Sequence, residues 1–194
     1  MNAGDSEHNL FGGNHYATGF RAASRRRAVT PMSLKLYNDA MKDLGIRVAE
    51  PRDIRELAAM RHHLWPAASA EEHTRDLTPL LSGNPKGNLP AVVFLAETSE
   101  GRITGFIEVG SRSHADGCDP AMPVGFIEGW FVKPDWRRKG IAARLLAEAE
   151  QWARNLGCRE MASDTWINNL ESQEVHAALG FEVVDRCVHY RKSL

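Results

Sequence analysis

The stretch that most constrains this chain is Gly125 to Leu146, GFIEGWFVKPDWRRKGIAARLL. From Phe126 to Val132 the side chains are almost all large and apolar, with Glu128 as the charged exception, and this reads as a buried strand. Lys133-Pro134-Asp135 breaks the strand, because proline has no ladder donor and a fixed φ. Arg137-Arg138-Lys139-Gly140-Ile141-Ala142 then runs straight into the Ala, Arg, Leu and Glu of an amphipathic helix. Amides at a helix start are unpaired and lie at the positive end of the macrodipole, so a basic, glycine-bearing turn there can hold an anion. Pyrophosphate is the obvious candidate. The competing reading is a basic helix-entry loop with an incidental glycine, and the strand before and helix after favour binding.

The rest of the chain supplies an α/β domain around one mixed sheet. Residues 1–45 show neither helical nor strand period and carry six basic against four acidic residues. They read as a disordered extension with a helical turn near Ser33 to Leu44, and Met32 and Met41 are alternative starts. Arg25-Arg26-Arg27 could meet nucleic acid or anionic lipid, but three charges make a small patch and a solvated tail is the simpler reading. The domain proper spans residues 46–194. It starts with a strand at Ile46–Ala49, then a helix opened by Pro51 with Ile54, Leu57, Ala58, Arg61 and Leu64 on one face. Trp65-Pro66 ends that helix, and the capping-box spacing Ser69 to Glu72 predicts a second over Ala70 to Leu81. A loop over Ser82–Pro90 follows, then strands at Ala91–Glu97 and Ile103–Ser111 joined as a hairpin.

After the central stretch the helix runs from Ile141 to Asn155, with Ala142, Leu145, Leu146, Ala149 and Trp152 on its apolar stripe and Gly157 as cap. Cys158–Asp164 reads as a strand and Leu170–Leu179 as a short helix capped by Gly180. Phe181–Asp185 and Cys187–Arg191 read as two closing strands.

Composition excludes several classes. A net charge of −1 argues against a general nucleic-acid binder. The longest apolar run, Ala91 to Ala96, is too short to span a membrane. Cys118, Cys158 and Cys187 are scattered and odd in number, which fits free thiols in the cytoplasm rather than disulfides, a metal site or catalysis.

This order of elements, with a basic glycine turn after the fourth strand, resembles the GNAT superfamily of acetyl-CoA-dependent N-acetyltransferases. The resemblance covers Ile46 to Leu194. Arg137, Gly140 and Ala142 match the pyrophosphate loop Arg/Gln-x-x-Gly-x-Gly/Ala, and Asn169-x-x-Ser172, His176 and Gly180-Phe181 match the later asparagine helix and Gly-Phe landmark. Leu64-Trp65-Pro66, Asp116-Gly117-Cys118, Glu128-Gly129-Trp130, Ala162-Ser163-Asp164-Thr165 and Ser172 to Phe181 are similar to the aminoglycoside 6′-N-acetyltransferases. The resemblance implies the GNAT fold, an α/β (α+β) domain whose central mixed, mostly antiparallel sheet is flanked by helices and splays between the fourth and fifth strands. It implies acetyl-CoA as co-substrate without a metal, an aminoglycoside as acceptor, and pairing into homodimers.

It also implies roles for particular residues. Arg137, Arg138, Lys139, Gly140, Ile141, Ala142 and Ala143 would hold the pyrophosphate, with Gly140 letting backbone approach phosphate closely. Backbone amides of Trp130, Phe131 and Val132 would face the thioester and pantetheine, and Asn169 would bond the pantetheine. Period-2 alternation places Glu128 beside Phe126 and Trp130 on one face, where an ionised carboxylate needs a partner or a task. It is the candidate general base and substrate acid, against the alternative of an internal salt bridge to an arginine. Asp164 would be a second catalytic and substrate-binding acid, or else a turn aspartate. Trp65, His114 and Asp185 would line the acceptor cleft, with core packing, an exposed loop and a hairpin turn as their alternatives. Asp116 and Asp119 could add negative charge beside them. His176 stands where many relatives carry a tyrosine that protonates the leaving thiolate. Imidazole can do this near neutral pH, but His176 could instead only pack, leaving the proton to solvent or Tyr190. A polyamine or protein amine as acceptor, and a non-catalytic acyl-CoA-binding protein, remain the alternatives.

Overall fold

The computed structural model describes residues 44–83 and 89–193. The expected extension, apart from Leu44 and Gly45, lies outside them. The described chain runs β1 (Gly45–Val48), a 3₁₀ turn (Pro51–Asp53), α1 (Ile54–Leu64), α2 (Ala70–Leu81), β2 (Ala91–Glu97), β3 (Ile103–Arg112), β4 (Val124–Val132), a second 3₁₀ turn (Pro134–Trp136), α3 (Ile141–Asn155), β5 (Glu160–Ser163) and α4 (Leu170–Ala178). The strands form one sheet in the order β1-β2-β3-β4-β5. The first four are antiparallel, and β4 meets β5 in parallel.

Sequence chemistry explains the helices. Ser69 accepts from the Glu72 amide while Glu72 reaches back to the Ser69 amide, a complete capping box for α2. The stripe of α3 is Ile141, Leu145, Leu146, Ala149 and Ala153, and it packs on one face of the sheet against Phe94, Ile107, Val109 and Ile127. The other face carries Val93, Leu95, Phe106 and Phe131 against Leu57, Ala58 and Met60 of α1 and Leu77 of α2. The sheet is therefore buried on both sides.

Two expectations fail, each for a physical reason. Residues 181–193 hold no strand, and Val183, Val184, Val188 and Tyr190 are 63–93% exposed. The sheet ends at β5, and a two-stranded ribbon with no apolar face to cover is marginal in water. The second concerns β4. Its register against β3 shifts so that Gly129 faces Glu108 and Ile127 faces Val109, leaving Glu128 as the extra residue of a β-bulge. Phe126, Glu128 and Gly129 therefore share the α1 face, while Trp130 packs on the α3 face.

Candidate active site

The pairing of β4 with β5 ends at Ile127 opposite Ser163. The next residues along the chain are Glu128 and Asp164, so each predicted acid directly follows the last paired residue of its strand. Beyond them β4 continues to Val132 with β3 alone beside it. The Lys133 amide donates to the Thr104 carbonyl on β3. Alternation along an antiparallel pair then turns the Phe131 amide to β3 and the Trp130 and Val132 amides to the side that β5 has left. Of the three predicted backbone donors, two are available and Phe131 is not. Its side chain lies in the core beneath α1.

The turn after β4 has the geometry of an anion cradle. Arg138 at φ 57° and Gly140 at φ 77° are both left-handed, and Gly140 is the N-cap of α3. The first helical bond runs from the Arg144 amide to the Gly140 carbonyl, so the Ile141, Ala142 and Ala143 amides precede the hydrogen-bonded ladder. Among the described residues, nothing beyond its chain neighbours lies within 4 Å of where a Cβ on Gly140 would sit. The glycine is thus required by its positive φ, and the space above it is open to a ligand. The basic side chains divide. Arg137 is committed, donating through Nε to the Val132 carbonyl at 3.1 Å and through Nη1 to Glu171 at 2.8 Å. The Lys139 ammonium stands 5.0 Å over the Trp136 ring, and partial burial pulls it below the usual lysine range against the raising effect of Asp135.

Glu128 is not a buried acid. Its side chain is 35% exposed, and both its oxygens are held by Arg112: Nε donates to Oε1 at 3.0 Å and Nη2 to Oε2 at 2.7 Å. The arginine alternative is the arrangement present, and the burial reasoning for Glu128 fails because the bulge sits at the open end of the sheet. The buried acid is its cross-strand neighbour Glu108, which sequence reasoning passed over. Its side chain is 12% exposed, and its Oε2 lies 3.7 Å from Arg61 Nε, with both atoms lacking a closer partner. Burial pushes the Glu108 carboxyl up, Arg61 opposes this, and Glu128 and Asp76 add to it. Glu108 interrupts β3 as Glu128 interrupts β4, so the same sequence signal was present.

Trp65 closes this end. Its ring edge lies over Gly129, where a Cβ would be 2.5 Å from Cη2, and Arg61 stacks on its other side at 5.0 Å. The buried His73 of α2 holds the Trp65 carbonyl at 3.1 Å. His114 is exposed, two residues past Arg112, with Nδ1 3.1 Å from the Ser113 hydroxyl. Its loop touches the C-terminal segment, where Gly117 leaves no room for a Cβ against Val184. Asp185 is next to that contact, and its Oδ1 accepts from the Arg186 amide at 2.6 Å. Asp116 and Asp119 are exposed, and the Asp119 amide donates to Glu160 at 2.7 Å.

Across the parted strands, His176 of α4 is boxed in. Nδ1 donates to the Ser172 carbonyl at 2.7 Å, and Nε2 lies 3.0 Å from the Ser163 hydroxyl. Its ring meets Trp130 and Phe181 edge-on. Asn169 accepts from the Ser172 amide at 3.1 Å and so caps α4. Among the described residues no group of three His, Cys, Asp or Glu could hold a metal ion, and no helix is long and apolar enough to cross a membrane.

A glycine-capped anion cradle beside two parted strands with free amides defines an acyl-CoA transferase architecture, and residues 57–181 match the model of the acetyltransferase (GNAT) family. The chain belongs to that family. Within it the chain is similar to the aminoglycoside N(6')-acetyltransferase type 1 of Serratia marcescens, at 42% identity over 137 residues, 70% of this chain and 90% of that relative. The enzyme of the same name from Stenotrophomonas maltophilia is 38% identical over 149 residues, 77% of this chain and 93% of that one. Among solved structures, AAC(6')-Iy in complex with the bisubstrate analogue CoA-S-monomethyl-acetylneamine matches with a TM-score of 0.69 and 37% identity, covering 78% of this chain and 99% of that chain.

Proposed function

We propose that this protein transfers the acetyl group of acetyl-CoA to the 6′-amino group of aminoglycosides, by direct attack within a ternary complex. What supports this reading is the parting of β4 and β5 just before Glu128 and Asp164, beside the outward-facing Trp130 and Val132 amides. Acetyl-CoA would lay its pyrophosphate on the Ile141, Ala142 and Ala143 amides with Arg138 and Lys139 nearby, and its pantetheine between the parted strands towards Asn169. The Trp130 or Val132 amide would stabilise the developing oxyanion. Free alkylamines titrate near ~10, so the acceptor arrives as an ammonium ion. Glu128 binds that ammonium and takes its proton as water is excluded, directly or through one water molecule. Asp164 pairs with a further ammonium, the Trp65 ring offers a surface for a sugar, and His114 and Asp185 flank the cleft from the loop and the C-terminal segment. His176, protonated at Nε2, would return a proton to the thiolate through the Ser163 hydroxyl.

Thiol release from acetyl-CoA, measured with kanamycin, spermidine and a lysine peptide, tests the reading. Release with kanamycin is expected. No release with any amine, despite acetyl-CoA binding, overturns the enzyme reading, and release with spermidine alone transfers it to polyamines. The exposed Val183, Val184, Val188 and Tyr190 support a homodimer in which a second copy covers this segment, which light scattering would check. The cytoplasm, where acetyl-CoA is made and used, is the proposed location.

A further inference from the structure

Two arginines face the two acids on the α1 side of the sheet, and they differ in how they are held. Arg61 is 13% exposed and lies between Trp65 and the buried Glu108. Arg112 is 42% exposed and ends β3 opposite Val124. From there it reaches along the sheet, lays its guanidinium 3.3 Å above the centre of the Phe126 ring, and grips Glu128 with two nitrogens. A fork of this kind uses the pair of lone pairs on one edge of the carboxylate. Water screens an ion pair this exposed, so its hold is modest.

We propose that Arg112 is an internal stand-in for the acceptor: its guanidinium occupies the place on Glu128 that the acceptor ammonium takes, and acceptors bind by displacing it. This rests on the reading of Glu128 as the acceptor acid. An ammonium ion approaching Glu128 meets a like charge and a carboxylate already engaged, so it must open the fork. Phe126 gives the displaced guanidinium a surface along which to slide. An acceptor with several cationic groups also gains from Asp164 and the loop acids, and can drive the exchange. A monoamine gains little from them and is excluded. Arg112 thus sets acceptor selectivity while leaving the acetyl-CoA half of the site untouched.

Steady-state acetylation by Arg112→Gln and Arg112→Lys, with kanamycin and with a monoamine as acceptors, tests this. In Arg112→Gln the KM for kanamycin is expected to fall about fivefold, the scale of one exposed ion pair, with the KM for acetyl-CoA unchanged. The KM for the monoamine should fall further, narrowing the selectivity. Arg112→Lys, which keeps the charge without the fork, should lie between. A kanamycin KM that is unchanged or raised in Arg112→Gln overturns the proposal, since an arginine that merely positions Glu128 would raise it on removal. If the glutamine variant does not fold, the wild-type structure with acceptor bound decides. An open fork supports the proposal, and an intact fork with the amine on Glu128 overturns it. Wild-type enzyme inactive on kanamycin overturns the functional reading itself, a result separate from either outcome for Arg112.

Discussion

Arg47 and Arg112 each grip a carboxylate through two nitrogens, yet their surroundings differ in every other respect. Arg47 reaches Asp53 at 2.6 and 2.8 Å and Glu97 at 2.5 Å, tying β1 to β2 and to the turn that opens α1. The Asp53 side chain is 6% exposed and also accepts the Glu50 amide at 2.8 Å. The Arg47 guanidinium holds Asp53 and Glu97 below the usual carboxylate range, and they hold Arg47 above the usual arginine range. Glu128 sits at the open end of the sheet, where Arg112 is 42% and Glu128 35% exposed. Burial and a backbone donor turn the first fork into part of the fold. Without them the second is the one that an acceptor could open, as proposed for Arg112.

Glu128→Gln gives the largest expected effect on this contrast: turnover should fall by about 10²–10³-fold, the range of a lost general base, with acetyl-CoA affinity and melting temperature near those of the wild type. Unchanged turnover would make the Arg112 pair as structural as the Arg47 pair. Asp53→Asn should do the reverse, lowering stability in urea unfolding by about 2 kcal/mol because it leaves Arg47 half-paired, with kcat preserved. The same pair has a pH signature. Asp53 and Glu97 have depressed folded values, so their contribution is complete above the unfolded carboxylate range near ~4 and is lost as pH falls through the folded values. Melting temperature should therefore drop on acidification in the wild type and drop less in Asp53→Asn. Equal slopes would remove the pair from the stability of the fold.

Two smaller effects bound the site. Gly129→Ala would push Trp65 off the sheet beside Glu128, and the aminoglycoside KM should rise several-fold while the acetyl-CoA KM holds. Deleting residues 1–43 should leave both parameters unchanged, because every candidate site residue lies between Trp65 and Asp185. Loss of activity in a soluble truncated protein would place that segment in the site.

The sequence showed best what depends on local chemistry. Prolines bound α1 and the capping box starts α2 where the sequence expects, and the strand-turn-helix pattern marks out the left-handed turn before α3. What escaped it depends on register. A bulge is one extra residue, and period-2 alternation cannot show where that residue falls, so alternation puts Trp130 on the wrong face and Glu128 in the core. Glu108 carried a readable signal, a lone acid in an apolar strand, but its meaning came only from the helix that covers it. Arg112 carried none, because a strand-end arginine is ordinary until the fold brings it over Phe126. The two strands expected at Phe181–Asp185 and Cys187–Arg191 came with no signal of a neighbour for them to join.

From Glu128 to Val132, β4 is an edge strand in the middle of the protein. Edges elsewhere are hidden or blunted because they template pairing with other chains, and in the proposed mechanism this one stays open for acetyl-CoA to complete it. The protein should therefore be most fragile between turnovers. Holding acetyl-CoA at a hundredfold its Kd would add about 2.7 kcal/mol to stability by mass action. Preparations kept without it would lose soluble material first through this gap.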